Sequence, residues 1–236
     1  MSKKMVVAID GHAGAGKSTS AKLVAQKLGY LYIDTGAMYR ALTYWAILKN
    51  ALDDSKAVTE IAEKSDIVLK FIDGTTQVTF NGEDITPFIR SQKVNLNVSL
   101  ISKIERVREI LVKKQREMAE NNSGVVMEGR DIGSVVFPDA DVKIFLTASI
   151  EQRALRRQKD YADAGIQISL DEIKSNLIQR DNLDSTRNIS PLLKVPDAIE
   201  INTSDLTIDE QVEIILERVK EVVRQKEIKI QSDDKN

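Results

Sequence analysis

Cysteine is absent from this sequence and histidine occurs once, so several kinds of chemistry are excluded at the outset. Without cysteine there can be no disulfide, thiolate zinc site, iron–sulfur cluster or cysteine nucleophile, and this absence fits a reducing compartment. Because His12 is the only histidine, a metal site with several histidine ligands is impossible. A Ser-His-Asp triad would have to use this one residue.

The sequence also lacks a charge excess and a long apolar run. Its 34 Lys and Arg against 36 Asp and Glu leave a formal net charge of −2, which gives no global positive field for a nucleic-acid polymer. The apolar run Met5 to Ile9 is too short for a secretory signal, and no run reaches the roughly 18 residues of a membrane span. We therefore expect a soluble, cytoplasmic protein that contacts no membrane.

Short apolar runs and helical stripes alternate along the first 50 residues. Met5 to Ile9 is rich in Val and Ile, the pattern of a strand buried on both faces of a parallel sheet. The stripe from Ala21 to Leu28 predicts a helix that Gly29 ends. A second strand, Leu31 to Ile33, and a second helical stripe follow, which is the order typical of a doubly wound α/β sheet.

Residues 66–94 break this alternation. Their β-branched residues alternate, and the turn signals Asp73-Gly74 and Asn81-Gly82 separate short strands. The pattern predicts a small antiparallel insertion that forms a lobe of its own.

The rest of the chain returns to strands and helices. Two buried strands are predicted at 124–127 and 142–146, a charged helical segment broken at Gly165 at 149–184, and a last strand at 198–201. Thr207 to Glu210 reads as a capping box that opens a final helix, and we expect the tail to fray from about residue 225.

These patterns predict an α/β fold, with a P-loop NTPase-like, doubly wound parallel sheet of about five strands and helices on both faces. A small antiparallel β insertion and a charged helical segment are added to it. We assign residues 1–65, 95–148 and 185–224 to the core, 66–94 to the insertion, 149–184 to the charged helical segment, and 225–236 to a flexible tail.

The strongest motif lies between the first strand and the first helix. It matches G-x-x-x-x-G-K-[ST] in full, and its glycines let the backbone N–H groups point at phosphate oxygens beside a helix N-terminus. Lys17 is expected to neutralise the β- and γ-phosphates of ATP, and the Ser18 hydroxyl to bind Mg²⁺. The predicted nucleotide-binding residues are Gly11, His12, Ala13, Gly14, Ala15, Gly16, Lys17, Ser18 and Thr19.

This loop alone does not distinguish a kinase from a nucleotide-driven switch or motor. The D-x-x-G and N-K-x-D elements of a GTPase are missing from the sequence, which weakens the switch hypothesis sharply. A motor ATPase stays open, because Val125 to Glu128 can imitate a Walker B strand.

Arginines cluster after the predicted carboxyl ends of the strands, the edge at which open α/β sheets bind ligands. Arg40 and Arg130 follow two such ends, and Arg153 and Arg157 follow a third as neighbours on one helix face. A further helix face presents Arg180, Asp184 and Arg187. So many cations suit a small-molecule kinase, which must bring two anionic substrates into contact.

Five segments together resemble the bacterial cytidylate kinases. They are the phosphate loop, D-T-G-A-M-Y-R at 34–40, G-R-D-I-G-S-V-V-F-P-D at 129–139, V-K-I-F-L at 142–146 and R-D-N-L-D-S-T-R at 180–187. The third and fifth are much more particular than the loop, and the resemblance runs from about residue 3 to 224. It implies transfer of the γ-phosphoryl group of ATP to CMP or dCMP. It also implies that residues 66–94 are a nucleoside-monophosphate-binding insertion and that residues 149–184 are a helical lid and the helix that follows it.

The resemblance also implies residue roles. Arg40 and Arg130 would bind the acceptor phosphate, and Arg180 and Asp184 the ribose. The residues around the base would be Thr35, Ser99, Arg108, Asp131 and Arg187. The catalytic group would comprise Lys17, Arg40, Arg130, Arg153 and Arg157, with a lid over about residues 149–165 closing on the substrates.

The chemistry of cytosine suits these residues. A carboxylate such as Asp131 accepts from the exocyclic amine, and guanidinium groups donate to N3 and O2, whereas uracil reverses this polarity. Two alternatives stay open: a kinase of another small acid or nucleotide, such as shikimate, dephospho-coenzyme A or a different monophosphate, and a binding module without turnover. We expect a monomer.

Overall fold

The computed structural model describes residues 5–72, 74–120, 122–163 and 165–233. Its strands are β1 (Met5–Gly11), β2 (Leu31–Asp34), β3 (Ile67–Ile72), β4 (Thr75–Phe80), β5 (Glu83–Asp84), β6 (Gly124–Glu128), β7 (Val142–Thr147) and β8 (Ile199–Asn202). Its α-helices are α1 (Lys17–Leu28), α2 (Thr35–Leu48), α3 (Ser55–Lys64), α4 (Gln92–Ile101), α5 (Glu105–Ala119), α6 (Ile150–Asp163), α7 (Leu170–Thr186) and α8 (Ile208–Asp233).

Five strands form a parallel sheet in the order β2-β6-β1-β7-β8. Strand β1 is central and all seven of its residues are buried, as its continuous apolar sequence requires. Because β1 pairs with β6 on one side and β7 on the other, a crevice opens above its carboxyl end. The fold class predicted from the sequence is confirmed.

The two faces of the sheet are covered by different helices. Helices α1 and α8 pack on one face, where their buried residues join Val7, Ile9 and Ile144 in one cluster. Helix α5 and a π-helical turn at Ile132–Val136 cover the other face. The π-helical turn was not predicted. It forms because Asp10 accepts hydrogen bonds from the first N–H groups of the turn.

The insertion is a three-stranded antiparallel sheet, β3-β4-β5. Its buried residues belong to the same apolar cluster as those of α2, α3, α4 and α5. Trp45 of α2 stacks on Phe80 of β4, with ring centroids 4.6 Å apart. The lobe therefore shares a core with the helices that flank it in sequence.

The lid segment consists of α6 and α7, which pack together through Ile173 and Leu177. Gly165 lies between them with φ +73°, so the predicted break is present. Helix α8 begins with the predicted capping box, in which Thr207 and Glu210 bond reciprocally.

The tail differs from the expectation of fraying at residue 225, because α8 continues to Asp233. Val222 and Val223 still pack on the core, and Lys226 pairs with Asp141, which extends the helix beyond the predicted limit. Among the helices of the described residues, none combines the length and apolarity that a membrane span needs.

Candidate active site

The phosphate loop curls between β1 and α1. Gly14 and Gly16 adopt left-handed backbone with φ +78° and +92°, and Gly16 is the residue that caps the N-terminus of α1. Ala15 N–H donates to the His12 carbonyl at 3.3 Å, which closes the loop. The loop thus has the concave backbone and adjoining helix N-terminus that bind phosphate.

Lys17 lies at the base of this loop and is only 5% exposed. Its Nζ donates to the His12 carbonyl at 2.8 Å. Burial, and then repulsion from the Arg130 guanidinium, lower the pKa of Lys17 to about 7. A bound phosphate group would raise the pKa of Lys17 again, since it gives the buried cation an anionic partner.

Ser18 faces the end of β6. Its hydroxyl donates to Glu128 Oε1 at 2.5 Å, and the Tyr32 hydroxyl donates to the same oxygen at 3.2 Å. Glu128 is buried because Ile9 of β1 pairs with it in the sheet. A hydroxyl and a carboxylate oxygen therefore adjoin the loop, in the position at which the sequence suggested a Walker B strand.

A buried carboxylate at the N-terminus of α2 organises two arginines. Asp34 accepts from Ala37 N–H, and its Oδ2 lies 2.8 Å from Arg40 Nη2 and 3.2 Å from Arg90 Nη2. Burial opposes ionisation of Asp34, but the two guanidinium groups outweigh it and lower its pKa. Arg90 is half-exposed, so its guanidinium remains accessible beside Arg40.

A second carboxylate, Asp184 of α7, joins the next arginines. Arg130 Nε donates to its Oδ2 at 2.9 Å, and Arg180 Nε lies 4.0 Å from the same atom. Burial, and then the nearby Arg130, lower the pKa of Arg180 to about 10. These partly buried cations thus lie close to one another, an arrangement that favours the binding of anions.

The residues expected around a base lie largely together. Arg108 pairs with Asp131, and its guanidinium lies over the Tyr39 ring, 5.4 Å from the ring centroid. Arg187 Nε donates to the Ser190 carbonyl at 2.6 Å. Burial, and then repulsion from the Arg108 guanidinium, lower the pKa of Arg187, while Asp131 opposes this shift.

Thr35 and Ser99 are less directly engaged with this group. The Thr35 hydroxyl donates to the Glu128 carbonyl at 2.7 Å. Ser99 is buried on α4, and its carbonyl accepts from the Ser102 hydroxyl.

The two lid arginines differ in placement. Arg153 is buried, donating to the Ala13 carbonyl at 3.2 Å and to Asp181 Oδ2 at 2.6 Å. Arg157 is partly exposed, with its side chain at 28%, and lies over the Tyr161 ring with Asp160 at 3.7 Å. Arg153 thus contacts the backbone of the phosphate loop directly, whereas the side chain of Arg157 is more exposed to solvent.

Comparison with known proteins decides the family. The family model described as cytidylate kinase matches residues 7–221, nearly the whole chain. This chain belongs to the cytidylate kinase family. It is accordingly an enzyme, a kinase that phosphorylates CMP with ATP as the donor.

Individual cytidylate kinases are similar over their full length. The cytidylate kinase of Shouchella clausii is 49% identical over 95% of this chain and 100% of its own. That of a Geobacillus species is 50% identical over 94% of this chain and 99% of its own. The family and the activity toward CMP predicted from the sequence are thus confirmed.

Similarity to a solved structure bears on the fold and not on the function. An uncharacterized protein from Eubacterium ventriosum aligns with a TM-score of 0.51 at 13% identity, over 93% of this chain and 99% of its own.

Four residues of this cytidylate kinase site were not predicted from the sequence. Asp10 accepts from the N–H groups of Ile132 and Gly133, both at 2.8 Å, and burial raises its pKa to about 6. Its one sequence signal is an acid at the end of a buried strand. The other three are Glu128 as the partner of Ser18, Arg90 and Asp181. Glu128 carried a signal in the Walker B resemblance and Asp181 in the R-D-N-L-D-S-T-R segment, whereas Arg90 carried none.

Proposed function

We propose that the crevice above β1 binds ATP and a cytidine monophosphate, CMP or dCMP, end to end, and that the γ-phosphoryl group passes between them in line. The observation that carries the proposal is the cluster of cations beside the phosphate loop, in which Lys17 is buried and Arg130, Arg180 and Arg40 are largely shielded from solvent. After the effect of burial, the charges of Arg130 and Arg180 lower the pKa of Lys17, and those of Arg130 and Arg40 lower the pKa of Arg180. The phosphate groups of two nucleotides suit so much positive charge in one place.

The donor occupies the loop in this proposal. The N–H groups of residues 11–19 face its β- and γ-phosphates, and Lys17 neutralises them. Arg153 maintains the loop through the Ala13 carbonyl, and Arg157 approaches the transferring group from the partly exposed side as the lid closes. Closure over about residues 149–165 excludes water and so favours transfer over hydrolysis.

Mg²⁺ fits the donor set of this site. The Ser18 hydroxyl and the Glu128 carboxylate are hard oxygen ligands 2.5 Å apart. No cluster of three or more His, Cys, Asp or Glu side chains suited to a metal occurs in the part of the chain described. In this proposal phosphate oxygens and water would supply the remaining ligands, as is usual for Mg²⁺. When bound, the ion would neutralise charge on the β- and γ-phosphates.

The acceptor lies opposite. Arg40, with Arg90 beside it, and Arg130 bind its phosphate, while Arg180 and Asp184 contact the sugar. An acceptor phosphate with a second pKa of about 6 is already ionised near neutral pH. No general base is therefore needed, which agrees with the scarcity of histidine.

Base choice rests on the buried pair of Asp131 and Arg108. The carboxylate accepts from the exocyclic amine of cytosine, and Arg108 or Arg187 donates to the ring acceptors, with Thr35 and Ser99 at the edge of the group. Uracil leaves both charges mismatched, which can reduce turnover by a factor of about 10⁴.

The test is an ADP-release assay with CMP, dCMP, UMP, AMP and shikimate as acceptors. We expect turnover with CMP and dCMP, and values of kcat/KM for the other three that are lower by several orders of magnitude. Lys17→Ala should abolish the activity and serves as the control that it arises in this loop. Faster turnover with UMP than with CMP would contradict the assignment of the base site. The cytoplasmic location, the monomeric state and the lack of a nucleic-acid partner stay predictions.

A further inference from the structure

The side chain of His12 points away from the loop that carries it and toward α7. Its Nδ1 lies 3.4 Å from Oδ1 of Asp181, and its ring meets Phe145 edge-on, with centroids 6.0 Å apart. Both Nδ1 and Oδ1 are buried, and among the described residues neither makes a hydrogen bond of acceptable geometry, not even with the other. Buried polar atoms normally have partners, so a small movement of α7 or of the loop that aligned this 3.4 Å contact would satisfy both atoms at once.

Asp181 connects to the phosphate loop a second time. Its other oxygen accepts from Arg153 Nη1 at 2.6 Å, and the same nitrogen donates to the carbonyl of Ala13. The backbone of His12 is itself the acceptor for Lys17 Nζ. A displacement of Asp181 therefore acts on the loop through two adjacent residues and reaches the lysine that faces the donor phosphates.

Asp181 also adjoins the proposed acceptor contacts along α7. Its chain neighbour is Arg180, and Asp184, less than one turn further on, binds Arg130. One short stretch of α7 thus carries two proposed sugar contacts and the link to the donor loop. Contiguous contacts of this kind can transmit coupling between two sites when both bias the same element.

We propose that His12 is a positioning residue that, through Asp181, couples binding of the acceptor nucleotide on α7 to binding of the donor in the phosphate loop. The inference rests on the proposed placement of the two nucleotides. Bound CMP holds α7 in place, and Asp181 then holds the side chain of His12. The phosphate loop is thereby held in the conformation that binds ATP. By linkage the donor must increase CMP affinity by the same factor.

The test compares CMP affinity with and without a magnesium complex of a non-hydrolysable ATP analogue, by calorimetry. In the native chain we expect the analogue to tighten CMP binding about fivefold or more, within the usual range of coupling. His12→Leu and Asp181→Asn should each reduce this ratio to less than about twofold, and the double variant should reduce it no further.

His12→Asn is the matched control, because its amide stands where Nδ1 lies and can still donate to Asp181. It should restore most of the ratio. If His12→Leu weakens each nucleotide alone but leaves the ratio intact, the residue is merely structural and the proposal is wrong.

A spectroscopic readout follows from His12 being the sole histidine, since its C2–H proton gives a single resonance. CMP alone should shift this resonance in the native chain, and the shift should fall by at least half in Asp181→Asn. Equal shifts in both proteins would overturn the link. If the native chain binds no CMP at all, the proposed function fails; if it binds both nucleotides independently, only the coupling fails.

Discussion

At the scale of single residues, the site is electrostatically incomplete without its ligands. Lys17 is buried, Arg130 and Arg180 lie near it largely shielded from solvent, and the carboxylates Asp34 and Asp184 balance only part of their charge. Burial and mutual repulsion lower the pKa of Lys17 and Arg180, so the charged forms of both side chains are disfavoured in the folded protein. Bound anionic ligands would stabilise these charged forms. A preorganised cluster of positive charge of this kind lets a phosphoryl-transfer site stabilise the transferring group without a general base.

The lowered pKa of Lys17, about 7, predicts proton-linked donor binding. The phosphates bind the charged lysine, so its pKa rises in the complex and affinity is fully present only below pH 7. Between pH 7.5 and 8.5, where the nucleotide is already ionised, affinity for the ATP analogue should fall by nearly tenfold. Calorimetry in HEPES and Tris should also detect proton uptake.

Lys17→Arg is the control for this titration, because a guanidinium stays charged throughout the range. Its affinity should be lower overall but flat between pH 7.5 and 8.5. A flat profile in the native chain would mean that Lys17 is charged before the donor binds.

Arg187 gives a prediction about base recognition. Arg187→Leu removes a buried donor beside Asp131, and loss of one charge-assisted hydrogen bond costs about 1.5–3 kcal/mol. The CMP KM should rise tenfold or more with a smaller change in kcat, and discrimination against UMP should weaken. Arg218→Leu, an exposed residue of α8, is the matched control. Unchanged CMP kinetics in Arg187→Leu would place the base elsewhere.

At the scale of elements, local pattern and long-range contact differ in what the sequence reveals. The loop, α1 and its stop at Gly29 are predictable because each depends on residues a few positions apart. Ser18 and Glu128 are 110 residues apart, and Arg90 and Asp34 are 56 apart. Their contacts depend on the pairing of β1 with β6 and on how the insertion folds back, which no periodicity encodes.

The π-helical turn and the extension of α8 have the same explanation. The turn depends on Asp10 reaching the N–H groups of Ile132 and Gly133 from a different strand. The extension of α8 past residue 225 is stabilised by the ion pair between Lys226 and Asp141. In the candidate site, the arginines of the motifs could be predicted from the sequence, whereas the ion pairs that they form with carboxylates could not.

Gly11 yields a prediction about the junction of β1 with the loop. Its φ is +144°, and a Cβ there would lie 2.1 Å from the Leu146 carbonyl oxygen of β7. Gly11→Ala should therefore separate β1 from β7 and lower the free energy of unfolding by at least about 3 kcal/mol. Urea unfolding measures this loss.

Gly29→Ala separates strain from crowding. Gly29 also has positive φ, +66°, but nothing lies within 4 Å of its added Cβ. Its cost should be that of the left-handed backbone alone, about 1–2 kcal/mol. Equal losses in the two variants would mean that the contact with Leu146 is relieved at no cost.

At the scale of the whole molecule, the insertion and the core are one packing unit. Residues of α2, α3, β4, α4 and α5 belong to a single buried cluster, which crosses the boundary drawn at residue 66 from the sequence. An antiparallel sheet of three strands, one with only two residues, has little core of its own. The lobe is therefore stable only through α2 and its neighbours.

Trp45 makes this testable, since it is the only tryptophan and stacks on Phe80 at that boundary. Urea unfolding followed by Trp45 fluorescence should coincide with unfolding followed by far-ultraviolet circular dichroism, which reports mainly the helices. Saturating CMP should move both transitions equally to higher urea, because a ligand stabilises the whole cooperative unit to which its site belongs. A fluorescence transition at lower urea than the dichroism transition would show that the lobe unfolds separately, and that the shared core contributes little to its stability.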